Sequence, residues 1–282
     1  MTTSSSSEVL TEANVETSIE FLPETLLSDN RPTTLVGLRL NQAIAHSGLC
    51  SRKAAARLIS EQRVLVNGQQ QPHHYLVKSG DCILVDGNLL PEAAPKQCWL
   101  YHKPVGVDCN VKSDNPSSIA QLLSTLPLRL FPLGRLDKDS SGLLLLSNDG
   151  ALAHRLMHAD QHQPKEYRVE VDQIVTEGQV QQLAAGVSWQ LGTTRYQSEP
   201  CHVHAEKNQL TMVLTQGLNR QIRYMCRAVG LKVLMLHRVR INQLVLTEDE
   251  GCCRRLTPAE MQLLEMPSLE MPSLEMQSLN GS

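Results

Sequence analysis

The most informative segment of the chain is Gly134-Arg135-Leu136-Asp137-Lys138-Asp139-Ser140-Ser141-Gly142, which continues directly into Leu143-Leu144-Leu145-Leu146-Ser147. A polar loop with two carboxylates runs into an apolar strand. A buried strand fixes the position of the loop before it, which is how a rigid sheet presents a reactive group. The simpler alternative is a solvated turn, in which the Asp and Ser side chains only bond to nearby backbone.

Length and charge narrow the classes of protein to consider. The 282 residues allow about two domains, each with its own core. The net charge is −3, but residues 1–36 carry −5 and residues 259–282 carry −4, so residues 37–258 carry +6. A basic folded part between acidic ends makes a polyanion a reasonable partner.

Cysteine usage and hydropathy point to a cytoplasmic protein. The eight cysteines are scattered and form no paired framework, as expected in a reducing compartment. The stretch Cys201-His202-Val203-His204 lacks a second ligand pair at zinc spacing, so we predict no metal there. The sequence also contains no phosphate-binding loop, and we predict no cofactor. No apolar run approaches the length of a membrane span, and we predict a monomer with no membrane contact.

Composition divides the chain into five parts. Residues 1–36 are acidic and rich in Ser and Thr, which predicts a disordered segment. Residues 37–90 form a small domain, residues 91–97 a proline-rich linker, and residues 98–258 a second domain. Residues 259–282 repeat Leu-Glu-Met-Pro-Ser, and we predict a low-complexity tail without a fold.

The small domain reads as two helices followed by a sheet. A helix over residues 39–46 ends at Ser47-Gly48, and Ser51 is placed to cap a second helix over residues 52–62. Arg52, Lys53 and Arg57 project from this second helix, away from its apolar stripe. Three cations on one helix suggest a clamp for phosphates. An ordinary solvated helix face remains the alternative.

A longer pattern in this region resembles a known RNA-binding family. The pattern comprises Arg39-Leu40, Gly48-Leu49-Cys50-Ser51-Arg52-Lys53-Ala54, Leu58-Ile59, Val64-Leu65-Val66-Asn67-Gly68 and Lys78-Ser79-Gly80-Asp81. In this order it is similar to the S4 module. The resemblance implies recognition of structured RNA through the second helix and the adjoining turn.

The second domain offers an acid, an aromatic ring and arginines from separated segments. Residues 165–171 alternate in polarity, which predicts a strand with Tyr167 on its apolar face. A turn at residues 216–220 opens a helix that carries Arg223. Asp137, Tyr167 and an arginine could form one pocket, where the cation would keep the carboxylate ionised. Tyr167 as a packed strand residue is the more common alternative.

Three motifs in this domain resemble the signature motifs of the pseudouridine synthases. They are Gly134 to Leu144, Lys165-Glu166-Tyr167 and Gly217-Leu218-Asn219-Arg220-Gln221-Ile222-Arg223, with His102-Lys103-Pro104-Val105-Gly106 upstream. The resemblance implies an α+β protein, in which the S4 module precedes a mixed, largely antiparallel catalytic sheet. It also implies uridine isomerisation in large-subunit ribosomal RNA, with transfer RNA as a second candidate substrate.

The resemblance assigns roles to individual residues. Asp137 becomes the catalytic carboxylate, Tyr167 stacks on the base and assists late proton removal, and Arg223 is the ion-pair partner of Asp137. Arg135 fills the gap that a flipped uridine leaves in its stack. Lys103 and Arg220 join Arg135, Arg52, Lys53 and Arg57 as RNA-binding residues. Asp139 is interpreted as a residue that structures the loop.

Three alternatives stay open at this level. The chain could be a non-catalytic RNA-binding or ribosome-assembly factor, a synthase acting on small-subunit ribosomal RNA, or a metal-dependent hydrolase using Asp137 and Asp139. The sequence also departs from the family pattern at Tyr224, where a second arginine is usual. This departure removes one cation from the RNA-facing helix.

Overall fold

The computed structural model describes residues 35–111, 114–157 and 163–266. The predicted disordered segment therefore lies almost wholly outside the described residues, as does most of the predicted low-complexity tail. Within the described part, a small N-terminal domain and a larger second domain follow each other along the chain. Residues 91–97 between them belong to no helix or strand.

The N-terminal domain packs two helices on a four-stranded antiparallel sheet, in the strand order β2-β1-β3-β4. Its elements are α1 (Leu40–His46), α2 (Arg52–Ser60), β1 (Val64–Val66), β2 (Gln69–Gln70), β3 (Ile83–Val85) and β4 (Asn88–Leu89). The predicted helices and strands are confirmed, and the Ser51 side chain accepts a hydrogen bond from the Ala54 backbone as a cap. Ala55 of α2 is fully buried, while the cations of this helix are exposed. The three cations are therefore accessible to an external partner.

The second domain is built on one large sheet with helices around it. Its strands are β5 (Cys98–Lys103), β6 (Phe131–Leu133), β7 (Ser141–Ser147), β8 (Lys165–Val171), β9 (Ser188–Leu191), β10 (Thr194–Gln197), β11 (His202–Glu206), β12 (Gln209–Leu214), β13 (Val233–Ile241), β14 (Leu244–Val245) and β15 (Cys253–Arg255). Its helices are α3 (Ala120–Thr125), α4 (Gly150–Met157), α5 (Glu177–Ala185), α6 (Gln221–Ala228) and α7 (Pro258–Glu265). The main sheet runs β11-β12-β8-β13-β7-β5-β15, with β14 beside β13 and β6 beside β7. The α+β class with a largely antiparallel sheet is confirmed.

Strand β7 is buried along its whole length because both faces of the sheet are covered there. Leu143 and Leu145 pack into one apolar cluster, which also contains Leu264 of α7. Leu144 and Leu146 pack into a second cluster on the opposite face. This explains the unbroken run of leucines, since a strand buried on both faces needs no polar alternation. The loop before β7 is thus held by the best-buried strand of the domain.

One pair of neighbouring strands in the main sheet is parallel. Strands β7 and β13 align Ser141 with His237 and Gly142 with Arg238. Gly142 has a φ of +111°, and a Cβ there would lie 2.6 Å from the backbone nitrogen of Arg238 and closer still to its carbonyl oxygen. Only glycine allows this approach of the two backbones. The Ser141 hydroxyl and the His237 ring are also hydrogen-bonded, at 2.9 Å.

Two parts of the second domain differ from the expectation. Residues 259–265 of the predicted tail belong to α7, in which Thr257 and Glu260 make a capping box and Pro258 opens the first turn. The fully buried Leu264 fastens this helix to the core, so the tail begins later than predicted. Strands β9 and β10 form a separate two-stranded hairpin, which the sequence pattern did not reveal.

Candidate active site

A cavity of about 360 Å³ lies where the loop before β7 meets the start of α6. Its size falls within the range of small-ligand sites. Of the predicted residues, it brings together Arg135, Asp137, Tyr167 and Arg220. The remaining wall is formed by Gly134, Leu136, Ser140, Met157, Leu214, Gln216, Gly217, Leu218, Asn219, Gln221, Ile222 and Leu236. A carboxylate, a phenol ring and two guanidinium groups therefore share one cavity, whose wall combines polar and apolar residues.

Asp137 sits in this cavity with about a quarter of its side chain exposed, 24%. Its loop is fixed by backbone hydrogen bonds. The Ser140 amide donates to the Asp137 carbonyl at 3.1 Å, and the Gly106 amide donates to the Lys138 carbonyl at 2.7 Å. Leu136, one residue before the carboxylate, is buried in the adjoining apolar cluster. Asp137 is therefore presented from a rigid loop rather than from a free turn.

Arg220 supplies the ion pair to Asp137. One of its terminal nitrogens lies 3.7 Å from an Asp137 oxygen, and its two terminal nitrogens donate to the Asp139 carboxylate at 3.0 and 2.9 Å. Arg220 stands at the N-cap of α6 with a φ of 51° and a ψ of 28°, a left-handed conformation that is uncommon outside glycine. Such conformations persist where the surroundings fix them, and they concentrate at functional sites.

Arg223 contacts the neighbouring acid instead. Its guanidinium donates to the Asp139 carbonyl at 2.7 Å, lies 3.3 Å from an Asp139 carboxylate oxygen, and reaches the Ser140 hydroxyl at 3.3 Å. Its Nε atom is buried with no hydrogen-bond partner among the described residues. The predicted pairing of Arg223 with Asp137 therefore needs correction. The helix places Arg220 one turn earlier, on the side of the carboxylate, while Arg223 ties α6 to the backbone of the loop.

Asp139 is the anchor for both arginines. The hydrogen bonds from Arg220, together with the positive charge of Arg223, lower the pKa of the Asp139 carboxyl. The Arg220 guanidinium in turn has its pKa raised, first by the hydrogen bond to Asp139 and then by the charges around it. The interpretation of Asp139 as a loop-structuring residue agrees with these contacts.

Tyr167 reaches the cavity from strand β8. It is aligned with Met212 of β12 and with Arg238 of β13, and its ring packs between the apolar clusters on either side. Asp137 and Tyr167 therefore line the same cavity, as the motif order suggested. The alternative of a packed strand residue is also partly right, because the ring packs against the apolar core and lines the cavity as well.

Lys103 does not face an external partner. Its side chain is fully buried, and its amino group donates to the carbonyls of Pro104 and Val107 at 2.8 and 2.9 Å. Burial also lowers the pKa of this amino group. The prediction that Lys103 contacts RNA is therefore wrong. Lys103 lies at the end of β5, on the covered face of the sheet, and its hydrogen bonds stabilise the turn at residues 104–107.

The predicted RNA-binding residues occupy two places. Arg135 is exposed at the rim of the cavity. Arg52, Lys53 and Arg57 are exposed on α2, where Arg57 also lies 3.6 Å from Glu61. Arg52 extends towards the second domain, since its guanidinium lies 3.1 Å from the Cβ position of Gly150 at the start of α4. One of the three cations of α2 therefore lies beside the domain that holds the cavity.

Some residues of the site carry no sequence signal of their own. Met157 at the end of α4 and Leu236 of β13 line the cavity, yet they look like ordinary apolar residues in the sequence. Buried Arg238 lies beside Tyr167 in the sheet and donates to the Leu143 carbonyl at 2.7 Å. For Arg238 the sequence does contain a signal, because two arginines at residues 238 and 240 are unusual inside a strand.

The described part of the chain holds neither a metal cluster nor a membrane-spanning helix. No group of three or more His, Cys, Asp and Glu side chains is arranged there to hold a metal ion. Within residues 35–111, 114–157 and 163–266, no helix is long and apolar enough to cross a membrane.

Comparison with known proteins agrees with this geometry. Residues 97–228 match the family described as RNA pseudouridylate synthase, and residues 38–83 match the S4 domain. The chain is 38% identical over 213 residues to the dual-specificity RNA pseudouridine synthase RluF of Escherichia coli K12, covering 74% of this chain and 72% of that protein. It is 34% identical over 232 residues to the ribosomal large subunit pseudouridine synthase B of Bacillus subtilis, covering 80% and 95%.

A solved structure leads to the same family. A protein described as pseudouridylate synthase superposes with a TM-score of 0.58 at 30% identity, covering 80% of this chain and 99% of the other. The matched segments contain the loop of Asp137, the strand of Tyr167 and the helix start at Arg220. With these residues around one cavity, and with relatives matched over most of their length, the chain belongs to the family of RNA pseudouridine synthases.

Proposed function

We propose that the chain converts specific uridines of large-subunit ribosomal RNA into pseudouridine. The observation that carries the proposal is the shared cavity of Asp137 and Tyr167, with Arg220 beside the carboxylate. The names of two relatives support the target, since one is a large-subunit ribosomal enzyme and the other is called dual-specificity. Transfer RNA, which the resemblance of the sequence motifs implies, is a second candidate substrate.

The proposed chemistry starts at Asp137. Its carboxylate attacks the sugar or assists its deprotonation while the bond between the uracil nitrogen and the ribose breaks. The uracil then rotates and rejoins the ribose through carbon, as Asp137 leaves the sugar or returns the proton that it took. The proton on that carbon then leaves, and the free ring nitrogen is protonated. The guanidinium of Arg220 lies 3.7 Å from this carboxylate and places a positive charge beside it.

Tyr167 and Arg135 handle the base. The ring of Tyr167, fixed between two apolar clusters, offers a face on which the uracil stacks. A duplex or folded RNA must first extrude the target nucleotide, at a cost of a few kcal/mol. Arg135 stands exposed at the cavity rim and fills the place that the uridine leaves.

Binding and catalysis are divided between the two domains in this proposal. Residues 37–90 hold structured RNA through Arg52, Lys53 and Arg57 of α2, and residues 98–258 carry out the isomerisation. The net charge of +6 over residues 37–258 favours a polyanionic partner. We further propose a cytoplasmic monomer. All eight cysteines are free thiols, which suits a reducing compartment.

The test is pseudouridine mapping of ribosomal and transfer RNA from cells with and without the protein. Loss of pseudouridine at a large-subunit position in cells without the protein supports the proposal. Loss at a small-subunit position would instead identify small-subunit ribosomal RNA as the substrate. Asp137→Asn, which keeps the side-chain shape, should restore no modification while RNA binding survives. The matched control is Asp249→Asn, an exposed carboxylate outside the cavity lining. Full activity of Asp137→Asn would reject the mechanism.

A further inference from the structure

Tyr224 is an aromatic residue on the outer face of a cationic helix. In α6 the buried positions are Gln221, Ile222, Met225 and Cys226. The opposite face carries Arg220, Tyr224 and Arg227, with the largely buried Arg223 turned to the loop before β7, and Tyr224 contributes its only ring. Arg220 and Arg227 lie one helical turn on either side of Tyr224. The ring is therefore framed by positive charge.

The ring of Tyr224 belongs to a set of nearly parallel aromatic rings. Trp189 of β9 lies 6.0 Å from Tyr224, between ring centroids, with an interplanar angle of 9°. Tyr196 of β10 lies 5.8 Å from Trp189, also at 9°, and the two are direct cross-strand partners. Trp189 is only 9% exposed, while both tyrosines are partly exposed. The buried indole holds the planes of the outer rings.

The indole is held by stacking and packing. Its N–H group is buried and has no hydrogen-bond partner among the described residues. Burying an indole N–H without a partner is costly, since a buried Trp usually finds an acceptor. The indole ring therefore keeps its position through contacts with the neighbouring rings and not through a hydrogen bond of its N–H group. Aligned, partly exposed rings beside cations are the features with which proteins bind single-stranded nucleic acid.

The position of Tyr224 connects the rings to the cavity. Arg220, one turn before Tyr224, lines the cavity and pairs with both acids of the loop. Tyr224 therefore places a stacking surface one helical turn away from the cavity lining. A nucleotide next to the target uridine would pass along this face of α6 on its way into the site.

We propose that Tyr224, braced by Trp189, stacks on an unpaired base adjacent to the target uridine. Arg227, which is exposed one turn after Tyr224, holds a phosphate next to that base. The partner is a single-stranded RNA segment, because a paired base has no free face to offer. The inference rests on the proposed function, and it concerns a contact outside the cavity that holds the reacting uridine.

Photo-cross-linking tests the contact directly. The probe is a short single-stranded oligouridine carrying 5-iodouridine at one position at a time, compared with the same strand in a duplex. Trypsin cuts after Arg223 and Arg227, so a cross-link at Tyr224 appears in the peptide of residues 224–227. We expect this cross-link from the single strand and not from the duplex. Its absence at every probe position would overturn the inference.

Substitutions supply the energetic test on the mapped RNA substrate. Tyr224→Leu should raise KM by about five- to a hundredfold, the range of one base–aromatic stack, while kcat at saturation changes little. Tyr224→Phe keeps the ring and should behave as the natural protein. Tyr224→Arg should abolish the cross-link and steepen the salt dependence of binding. If Tyr224→Leu does not fold, the presence or absence of the cross-link in the natural protein and in Tyr224→Phe still tests the inference.

The outcomes separate this inference from the proposed function. If the natural protein forms no pseudouridine in any RNA, the proposed function fails whatever Tyr224 contacts. If it forms pseudouridine but Tyr224→Leu has an unchanged KM, the inference alone fails. A raised KM with the expected cross-link supports both.

Discussion

The guanidinium of Arg220 is held by Asp139 and thereby kept 3.7 Å from the carboxylate of Asp137. Asp139 thus acts through Arg220 on the Asp137 carboxylate, for which we propose the catalytic role. Two hydrogen bonds fix the arginine on one side, and a longer ion pair connects it to Asp137. Asp139 is a positioning residue in this arrangement, and its removal should affect turnover more than RNA affinity.

Replacing Asp139→Asn should lower kcat by about ten- to a hundredfold, the range for hydrogen bonds to a charged group. KM for RNA should change little, because Asp139 holds the loop and not the RNA. Single-turnover pseudouridine formation measures this effect. In the double variant Asp139→Asn, Arg220→Gln, the increase in activation free energy should be smaller than the sum of the increases in the two single variants. Each single variant already breaks the same interaction between Asp139 and Arg220. Additive effects would contradict the arrangement.

The cations of α2 should govern the salt dependence of RNA binding. Changing Arg52, Lys53 and Arg57 together to Ala should weaken binding and flatten the slope of log K against log salt. The slope should fall by about 0.7 to 0.9 for each phosphate that the variant no longer neutralises. Filter binding at several salt concentrations measures the slope. An unchanged slope would remove α2 from the binding surface.

Two control variants belong to this experiment. Arg63→Ala removes a cation of the same domain that is already paired with Asp86 and Glu61. Lys103→Met removes the buried cation of β5, which should lower the free energy of unfolding because two hydrogen bonds disappear. The slope should stay nearly the same in both. A flatter slope in Lys103→Met would restore this lysine as a residue that binds RNA.

Gly142 should tolerate no side chain. Gly142→Ala would push its Cβ into the backbone of Arg238 and keep a φ of +111°, so we expect the free energy of unfolding to fall by several kcal/mol. Thermal unfolding followed by circular dichroism measures it. Gly178→Ala, at an exposed helical position with open space, should stabilise the protein by up to about 1 kcal/mol. Equal melting temperatures in the two variants would rule out the close strand approach.

The contribution of α7 to the free energy of unfolding should depend on pH. The hydrogen bond from Arg254 lowers the pKa of Glu260 to about 2. A depressed carboxyl pKa contributes stability that is present above the ordinary value near 4.5 and is lost as the pH falls through about 2. Glu260→Gln should therefore flatten the dependence of unfolding free energy on pH within that window. Urea unfolding at several pH values measures it.

Glu265→Gln is the comparison for Glu260→Gln. It removes a carboxylate of the same helix, whose pair with Arg155 is about half exposed on both sides. Exposed pairs contribute little to stability. A change in acid dependence as large as that of Glu260→Gln would show that the pairing of Glu260 with Arg254 has no special role.

The elements that follow local rules were predictable from the sequence. Ser51 caps α2, the leucines of residues 143–146 form a buried strand, and Gly217 to Arg220 opens α6, each as the local residues indicate. Motif order was enough to bring Asp137 and Tyr167 to one cavity. These predictions depend on near neighbours in sequence, or on a family pattern.

Details that depend on a few ångströms between elements were not predictable. Whether Arg220 or Arg223 meets Asp137 depends on how α6 is rotated against the loop. Lys103 looks like a surface cation until the sheet covers it. The hairpin β9–β10 was missed because its short strands lack clear alternation, and α7 because its capping box lies just before a repetitive tail.

The parallel pairing of β7 with β13 also has a consequence during protein synthesis. Ser141 and His237 are 96 residues apart, whereas the apolar core of the N-terminal domain is contained within residues 35–90. Contacts between distant residues form late, and domains made first fold first. We expect nascent chains stalled before β13 to bind RNA already, yet to show no isomerase activity. The ability to hold RNA would thus precede the ability to modify it.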